Sequence, residues 1–419
     1  MGTVALRSDV HEQIERIGSA DIVVGIPSFN NARTIGHVVR AAQAGLAKYF
    51  PEHKAVIVNS DGGSTDGTMD VTRNTSLGDL DAILLHHRIT SASKIVFPYS
   101  GIPGKGSAFR SIFEIASALG AKACAVVDSD LRSITPEWLE LLLKPVLTER
   151  FDYVSPLYHR HKFDGTITNS IVYPLTRALY GKRIRQPIGG DFGFSGKVAE
   201  FYLSQDVWES DVARFGVDIW MTTTAIANGF KVAQSFLGAK IHDPKDPGAD
   251  LSNMLYQVVS ATFGLMETYA DIWAPVKGSE AVPSFGFEYT VGLEPLNVDT
   301  SRMLKVFREG VRNLGEIWLD VLGPGDFGEI ERLGTLDDAE FHFPASLWMR
   351  TIYDYALAYH KRTLPIEHLI KSMTPLYVGK TASFILSARD MGQDEAEAEI
   401  ENLCIEFENG KDYLAAHWT

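Results

Sequence analysis

The chain has 419 residues, which is enough for a large core and for more than one minimal domain. Lys and Arg total 39 against 53 Asp and Glu, and the formal net charge of -14 argues against nonspecific binding to nucleic acid or anionic membranes. A local basic pocket would still accept an anionic substrate. The charged segment 1–18 lacks the apolar core of a signal peptide, and no apolar run is long enough to span a bilayer. With only two cysteines, one of them inside an apolar run, we expect reduced thiols and a cytoplasmic protein.

The first half of the chain alternates strand-like apolar runs with segments of helical periodicity. The predicted elements are strand 22–26, helix 31–49, strand 54–58, a helix from Thr68, strand 82–85, helix 106–119 and strand 123–127. This β-α alternation predicts a mostly parallel sheet with helices on both faces. In such sheets ligands bind beyond the carboxyl ends of the strands, where the polar clusters of this chain are found.

The pattern changes at about residue 245. The remaining predicted elements are a long helix 251–273, a Pro- and Gly-rich passage 274–295, and helices 302–322, 343–362, 364–373 and 394–407. We therefore expect an α/β catalytic domain over 1–245, followed by a mainly helical region over 246–419. The helical region would pack on the core, form a homodimer interface, or do both.

Two carboxylates, Asp128 and Asp130, follow the apolar run 123–127. Residues two apart on an extended strand share a face, so both side chains would point the same way. Like charges held that close repel each other unless a cation lies between them. The pair therefore suggests a hard divalent ion such as Mg²⁺ or Mn²⁺, although an Asp-X-Asp sequence also occurs in ordinary loops.

Four other polar clusters accompany this pair. They are Ile26-Pro-Ser-Phe-Asn-Asn31, Asp61-Gly-Gly-Ser-Thr-Asp66, Lys105 between two glycines at a helix start, and His242 after a probable strand. Each has an ordinary alternative, namely a turn with a helix cap, a solvated loop, or a structural histidine. Lys105 would act as a mobile cation beside helix N-terminal amides, an arrangement that suits a phosphate.

The order of these clusters resembles the GT-A family of nucleotide-sugar glycosyltransferases, which have a Rossmann-like α/β fold. Pro27-Ser-Phe-Asn30 is similar to the opening motif of the family, the loop starting at Asp61 to its nucleoside loop, and Asp128-Ser-Asp130 to its metal motif. The resemblance implies donor-nucleotide contacts at Pro27, Ser28, Asn30, Ser60, Asp61, Lys105, Asp128 and Ser129.

A narrower resemblance, over residues 22 to about 260, is to the retaining synthases that glycosylate glycerate or 3-phosphoglycerate. It is carried by Pro103-Gly-Lys-Gly106, Asp128-Ser-Asp-Leu131, Gln186-Pro-Ile-Gly-Gly-Asp191, Phe215-Gly-Val-Asp218 and Lys240-Ile-His242. It implies a divalent metal held by Asp130 and His242. It also implies catalytic roles for Asp128, Asp130, Asp191, Asp218 and the backbone carbonyl of Ile188, and acceptor contacts at Gly165, Thr166, Thr168, Gly189, Gly190 and Asp218.

The acceptor loop departs from the phosphoglycerate enzymes of this group. Those enzymes carry an arginine that grips the acceptor phosphate, and here Thr166 takes its place, while Thr168 and Asp218 match residues that the glycerate enzymes use. Loss of a guanidinium removes charge-assisted, bidentate contacts to a phosphate. We therefore expect glycerate as the acceptor, with 3-phosphoglycerate as the alternative if the basic triplet 160–162 supplies the phosphate grip.

The resemblance implies transfer of a hexose with retention of configuration, and the product would be a glycosylglycerate of the compatible-solute type. UDP-glucose and GDP-mannose both fit as donors. Two other classes stay open: a binding protein that keeps the nucleotide pocket without turnover, and a nucleotidyltransferase. The latter would carry its Gly-rich phosphate loop directly after the first strand, where this chain has Pro27-Ser-Phe-Asn30.

Overall fold

The protein is described by a computed structural model that covers residues 6–76, 92–100, 103–210, 212, 216–241, 251–288, 296 and 298–418. The chain divides into two compact units. The first comprises 1–159, 186–245 and 282–291, and the second comprises 160–185, 246–281 and 292–419. The segment 160–185 thus groups with the helical residues, which differs from the single boundary at 245/246 that the sequence suggests.

The first unit is built on an eight-stranded sheet. Its strands are β1 Ile22–Ser28, β2 Ala55–Asp61, β3 Ser93–Pro98, β4 Ala123–Val126, β5 Tyr153–His159, β7 Phe192–Ser195, β8 Val232–Ala239 and β10 Ser284–Phe285. They lie in the order β10-β8-β5-β7-β4-β1-β2-β3. Among the described strands, β7 alone runs antiparallel to its neighbours, β4 and β5. The predicted mostly parallel sheet is confirmed, although β3, β5, β7 and β10 were not anticipated and the predicted strand 82–85 lies outside the described residues.

Helices cover both faces of this sheet. They are α1 Ser8–Ile17, α2 Ile35–Tyr49, α3 Thr68–Asn74, α4 Lys105–Ala118, α5 Glu137–Leu147, α7 Gly196–Leu203 and α8 Val217–Ala227. Alternate β1 residues such as Val24 pack into one apolar core with α2 and α5. On the opposite face Gly25 meets Ile112 of α4 so closely that a β-carbon would not fit. The close approach of α4 brings its first residue, Lys105, to the carboxyl edge of the sheet.

The second unit is mainly helical, as predicted for the C-terminal part of the chain. It contains a π-helical turn Thr168–Val172 and helices α6 Tyr173–Tyr180, α9 Leu251–Thr268, α10 Ala270–Trp273, α11 Thr300–Val321, α12 Pro324–Gly334, α13 Ala345–Lys361, α14 Ile366–Ser372, α15 Thr374–Ala388 and α16 Gln393–His417. A two-stranded pairing joins β6 Lys182–Arg183 to β9 Glu280–Ala281. Among the described residues, no helix is both long and apolar enough to cross a membrane.

Buried ion pairs hold α16 to the segment 173–185 within this unit. Arg177, whose side chain is almost fully buried, pairs with Glu401 and Glu408 of α16. Arg185 pairs with Glu397 one helical turn earlier. The three glutamates lie at spacings of four and seven residues, so they share one face of α16. The predicted helix 394–407 is therefore part of a longer helix whose acidic face is engaged in buried pairs.

Candidate functional site

The loops that follow β1 and β2 are joined by hydrogen bonds. Asp61 is fully buried, and its carboxylate accepts hydrogen bonds from Ser28 Oγ at 2.6 Å, from the Gly63 amide at 2.9 Å, and from both the amide and the hydroxyl of Ser64 at 2.7 Å. All of these donors belong to the two loops. Asp61 therefore holds the loop geometry, and the nucleoside contact predicted for it stays a prediction.

Asn30 links the same two loops from the other side. It adopts a left-handed φ of 53°, its amide donates to Ser64 Oγ at 2.7 Å, and its side-chain oxygen accepts the Thr65 amide at 3.0 Å. Pro27 pairs in register with Ser60, whose buried hydroxyl has no hydrogen-bond partner among the described residues. The predicted nucleotide residues of β1 and β2 are thus brought together in one preorganised double loop.

The predicted metal motif does not lie on an extended strand. β4 ends at Val126, and Ser129 and Asp130 form a turn. The alternation rule for strands therefore does not apply to Asp128 and Asp130, because the chain has left the sheet before the first of them. Ser129 donates to the side chain of Asn31 at 2.8 Å, which ties this turn to the loop after β1.

Five charged side chains form the centre of the candidate site, and we call them the Asp–Lys cluster: Lys105, Asp128, Asp191, Asp218 and Lys240. Lys105 Nζ lies 2.8 Å from Asp128 and 3.1 Å from Asp218. Lys240 Nζ lies 2.7 Å from Asp128 and 2.8 Å from Asp191. Asp191 also accepts the backbone amide of Asp128 at 2.8 Å. All five belong to the first unit, so the sheet brings together carboxylates that are far apart in the sequence.

The cluster contains three carboxylates and two ammonium groups, and the pKa values of the three carboxyl groups are shifted in different directions. Burial alone would raise the pKa of Asp128, but the charges of Lys105 and Lys240 outweigh it and hold that pKa well below its usual range. Burial raises the pKa of Asp191 and that of Asp218, and the negative charge of Asp128 adds to both effects. Asp128 is thus the carboxylate held most firmly in its ionised form, while Asp191 and Asp218 retain protons more strongly than free carboxylates do.

The side chain of Lys105 is more enclosed than that of the mobile cation expected from the sequence. Its side chain is 17% exposed and bridges two aspartates. Burial alone would lower the pKa of Lys105, but the charges of Asp128 and Asp218 outweigh burial and raise it. Flanking glycines indicate that the backbone is free to move, but they do not indicate the partners of the side chain between them.

A short backbone segment, 188–190, closes one side of the cluster. Gly189 accepts a hydrogen bond from Lys240 Nζ at 2.8 Å. Gly190 has a φ of +88°, and a β-carbon there would clash with the Asp128 carboxylate. Tyr158 donates its hydroxyl to Asp191, which follows the segment directly. The two glycines therefore have a packing role at the cluster, and the acceptor contacts predicted for them stay predictions, as does the carbonyl contact of Ile188.

Lys240 received no individual role from the sequence. Its ammonium group contacts Asp128, which is 112 residues away, and Asp191, which is 49 residues away. The sequence feature that could have indicated its role is its position at the end of an apolar strand, two residues before His242. A cation at the carboxyl end of a strand was a candidate partner for the carboxylates expected at the same edge.

The second predicted metal ligand, His242, lies outside the described residues. The first, Asp130, is half-buried in the turn after β4. The Arg132 amide donates to the Ile241 carbonyl at 2.8 Å, and the Ile241 amide lies 2.9 Å from Ser133 Oγ. The described end of the β8 segment therefore runs beside the residues that follow Asp130. Within the described ranges, no group of three or more His, Cys, Asp or Glu side chains has the arrangement of a metal site.

The remaining predicted acceptor residues belong to the second unit. Gly165 has a left-handed φ of 66°, the Thr166 hydroxyl is hydrogen-bonded to the hydroxyl of Tyr377, and Thr168 begins the π-helical turn. In the basic triplet, Lys162 Nζ donates to the carbonyls of three residues near the end of α15: Ala388 at 2.7 Å, Arg389 at 2.9 Å and Met391 at 2.7 Å. The side chains of Thr166 and Lys162 thus have structural partners inside their own unit.

Comparison with known proteins found no matching family model and no matching curated protein. Solved structures of glucosyl-3-phosphoglycerate synthase from Mycobacterium tuberculosis do match. The structure in complex with phosphoglyceric acid is 20% identical with a TM-score of 0.44, and the match covers 62% of this chain and 84% of that chain. The structure with Mg²⁺ and uridine diphosphate is 20% identical with a TM-score of 0.43, and covers 62% and 84%. A structure described only as a mycobacterial protein is 23% identical with a TM-score of 0.43, and covers 61% and 78%.

Proposed function

We propose that this protein is a metal-dependent retaining glycosyltransferase that moves a hexose from a nucleoside-diphosphate sugar to D-glycerate. The observation that carries the proposal is the Asp–Lys cluster at the carboxyl edge of the parallel sheet, beside the double loop of β1 and β2. Sugar hydroxyls donate and accept hydrogen bonds, and the cluster offers both carboxylates and ammonium groups. Open α/β sheets bind nucleotides at this edge.

Donor binding follows from the elements that meet there. Lys105 is the first residue of α4, a helix of 14 residues, so the positive end of the helix dipole lies beside this lysine. Both favour the diphosphate of the donor. The double loop with the buried hydroxyl of Ser60 would receive the nucleoside, and UDP-glucose and GDP-mannose are the two donors to be tested.

The divalent ion would be held by Asp130 and His242. A carboxylate oxygen and a neutral imidazole nitrogen suit Mn²⁺. They also suit Mg²⁺ when water molecules complete its coordination shell. Because Asp128 is engaged by two lysines, Asp130 is the carboxylate of the motif that we assign to the metal. When bound, the ion neutralises charge on the leaving diphosphate.

Group transfer needs no covalent nucleophile in this arrangement. Asp218 has one carboxylate oxygen fixed by Lys105, and its other oxygen is buried with no hydrogen-bond partner in the described part of the chain, so it would orient an acceptor hydroxyl. The acceptor oxygen bonds to the anomeric carbon on the face from which the diphosphate oxygen departs. The hydroxyl proton passes to the leaving diphosphate, and the configuration is retained.

The proposed acceptor is unphosphorylated glycerate. Thr166 stands where the phosphoglycerate enzymes that the chain resembles carry arginine. The lysine of the basic triplet, Lys162, uses its ammonium group on three backbone carbonyls, and Arg160 pairs with Asp164 at 3.3 Å. Both cations of the triplet have partners in their own unit, which favours the singly charged acceptor.

The decisive experiment incubates the protein with UDP- or GDP-hexoses, Mg²⁺ or Mn²⁺, and either D-glycerate or 3-phosphoglycerate, and measures released nucleoside diphosphate and glycosylated product. We expect transfer to glycerate, at least a 100-fold loss for Asp128→Asn, and no change for the exposed control Asp70→Asn. A higher kcat/KM on 3-phosphoglycerate would reverse the acceptor assignment. In a parallel incubation with a hexose 1-phosphate and UTP or GTP, release of inorganic pyrophosphate would indicate a nucleotidyltransferase. Donor binding without turnover would indicate a binding protein.

A further inference from the structure

Lys240 is the most enclosed cation of the candidate site. Its side chain is 5% exposed, whereas that of Lys105 is 17% exposed. Its ammonium group donates to Asp128 at 2.7 Å, to Asp191 at 2.8 Å and to the carbonyl of Gly189 at 2.8 Å. A lysine has three N–H donors, and these three acceptors match them.

We propose that Lys240 is a positioning residue that fastens the backbone segment 188–191 to Asp128, and thereby sets the wall that this segment forms beside the Asp–Lys cluster. What this wall does for catalysis rests on the proposed function, whereas the fastening itself does not. The three N–H groups of the Lys240 ammonium are used inside the protein. Lys240 therefore acts through its neighbours and does not contact the nucleotide sugar. Lys105 contrasts with it, since within the described residues two aspartates pair with it and more of its side chain reaches solvent.

The geometry of the fastened segment explains why a buried cation is needed. Asp191 is 0% exposed, and Asp128 lies directly against Gly190, whose missing β-carbon lets the carboxylate approach the backbone. Asp128 and Asp191 both accept hydrogen bonds from Lys240 Nζ, and two carboxylates that share one cation repel each other when it is removed. Removing the ammonium group would therefore release the Gly189 carbonyl and loosen the segment, which would then be tied to Asp128 through the hydrogen bond from the Asp128 amide to Asp191.

The test compares Lys240→Met, Lys240→Arg and the matched control Lys231→Met, which removes an exposed lysine at the start of β8. In the ligand-free, full-length protein, hydrogen–deuterium exchange is measured for the peptide 186–195. We expect Lys240→Met to raise its exchange rate at least tenfold, while Lys240→Arg, which keeps a cation, restores most of the protection. The control should leave the rate unchanged. Unchanged exchange in Lys240→Met would overturn the proposal.

Two further measurements separate positioning from ligand contact. Calorimetric titration with UDP and with GDP should give the same affinity for Lys240→Met and wild type within twofold, while kcat for sugar transfer falls at least 100-fold and recovers at least tenfold in Lys240→Arg. An equal loss of nucleotide affinity and of kcat would show that Lys240 contacts the donor, and would refute a positioning role.

A folding defect in Lys240→Met would not end the test. The double variant Lys240→Met/Asp191→Asn removes one negative and one positive charge together, and the exchange measurement is then made on it, with increased exchange expected at Gly189 and Gly190. If the wild-type protein transfers no sugar, the proposed function fails, but the exchange result still supports or overturns the fastening.

Discussion

Gly190 offers the sharpest test of the geometry around the Asp–Lys cluster. Gly190→Ala places a side chain at a φ of +88°, which costs about 1–2 kcal/mol for a non-glycine residue. The new methyl group would also overlap Asp128 Oδ2 and lie 3.2 Å from Lys240 Nζ. Overpacking of this kind adds roughly 1–3 kcal/mol. The expected loss in the free energy of unfolding is therefore about 2–5 kcal/mol, the sum of the two effects.

Gly229→Ala is the matched control, because Gly229 has a similar φ of +72° and nothing within 4 Å of the new β-carbon. We expect it to lose only the backbone contribution, about 1–2 kcal/mol. Urea unfolding of both variants measures the difference, and sugar transfer is assayed in parallel. Equal destabilisation of the two variants, with wild-type kcat for Gly190→Ala, would refute the close approach of Gly190 to the Asp128 carboxylate.

Three more predictions follow from the structure. Lys105→Met should lower the free energy of unfolding by about 3 kcal/mol, as expected for a broken buried ion pair, and weaken nucleoside diphosphate binding at least tenfold; an unchanged melting temperature would contradict its buried pairing. Thr166→Arg should raise the kcat/KM ratio of 3-phosphoglycerate to glycerate, whereas Lys162→Met should leave that ratio unchanged and reduce stability by about 1–2 kcal/mol through lost hydrogen bonds; a ratio altered by the lysine variant would assign the phosphate grip to the triplet. Burial lowers the pKa of Lys380 and that of Lys411 to about 8. The unfolded chain then binds more protons than the folded protein above about pH 8, and the free energy of unfolding rises with pH between about pH 8 and 10; denaturation at about pH 7.5 and 9.5 should show a rise that Lys380→Met diminishes.

The elements that the sequence predicted well are those with a strong local pattern. The strand predicted at 22–26 extends to Ser28, and the helix predicted at 106–119 is observed as Lys105–Ala118. Short apolar runs and helical periodicity report backbone hydrogen bonding and burial over a few residues. The antiparallel β7 escaped prediction, because its place between β4 and β5 is decided by partners distant in the sequence.

The helix predicted at 251–273 shows the limit of periodicity in another way. It is interrupted at Tyr269, between α9 and α10. Lys411 donates to the carbonyls of Trp273 and Val276 at 2.5 Å, just beyond the end of α10. Lys411 belongs to α16, and no pattern within 251–273 indicates that this lysine would donate to these carbonyls. The predicted end at residue 273 coincides with the end of α10, whereas the interruption at Tyr269 was not anticipated.

The sequence by itself determined the α/β character of the first unit, the helical character of the second, and the residues that gather at the carboxyl ends of β1, β2 and β4. These follow from hydrophobic patterning and from the rule that parallel strands share one edge. Only the tertiary structure decided the partners of those residues: Asp61 holds its own loops, Asp128 lies between two lysines, and Lys240 joins Asp128 to Asp191. Charge pairing in a buried site depends on distances of a few ångströms between groups that are tens of residues apart, and a local pattern contains no record of those distances.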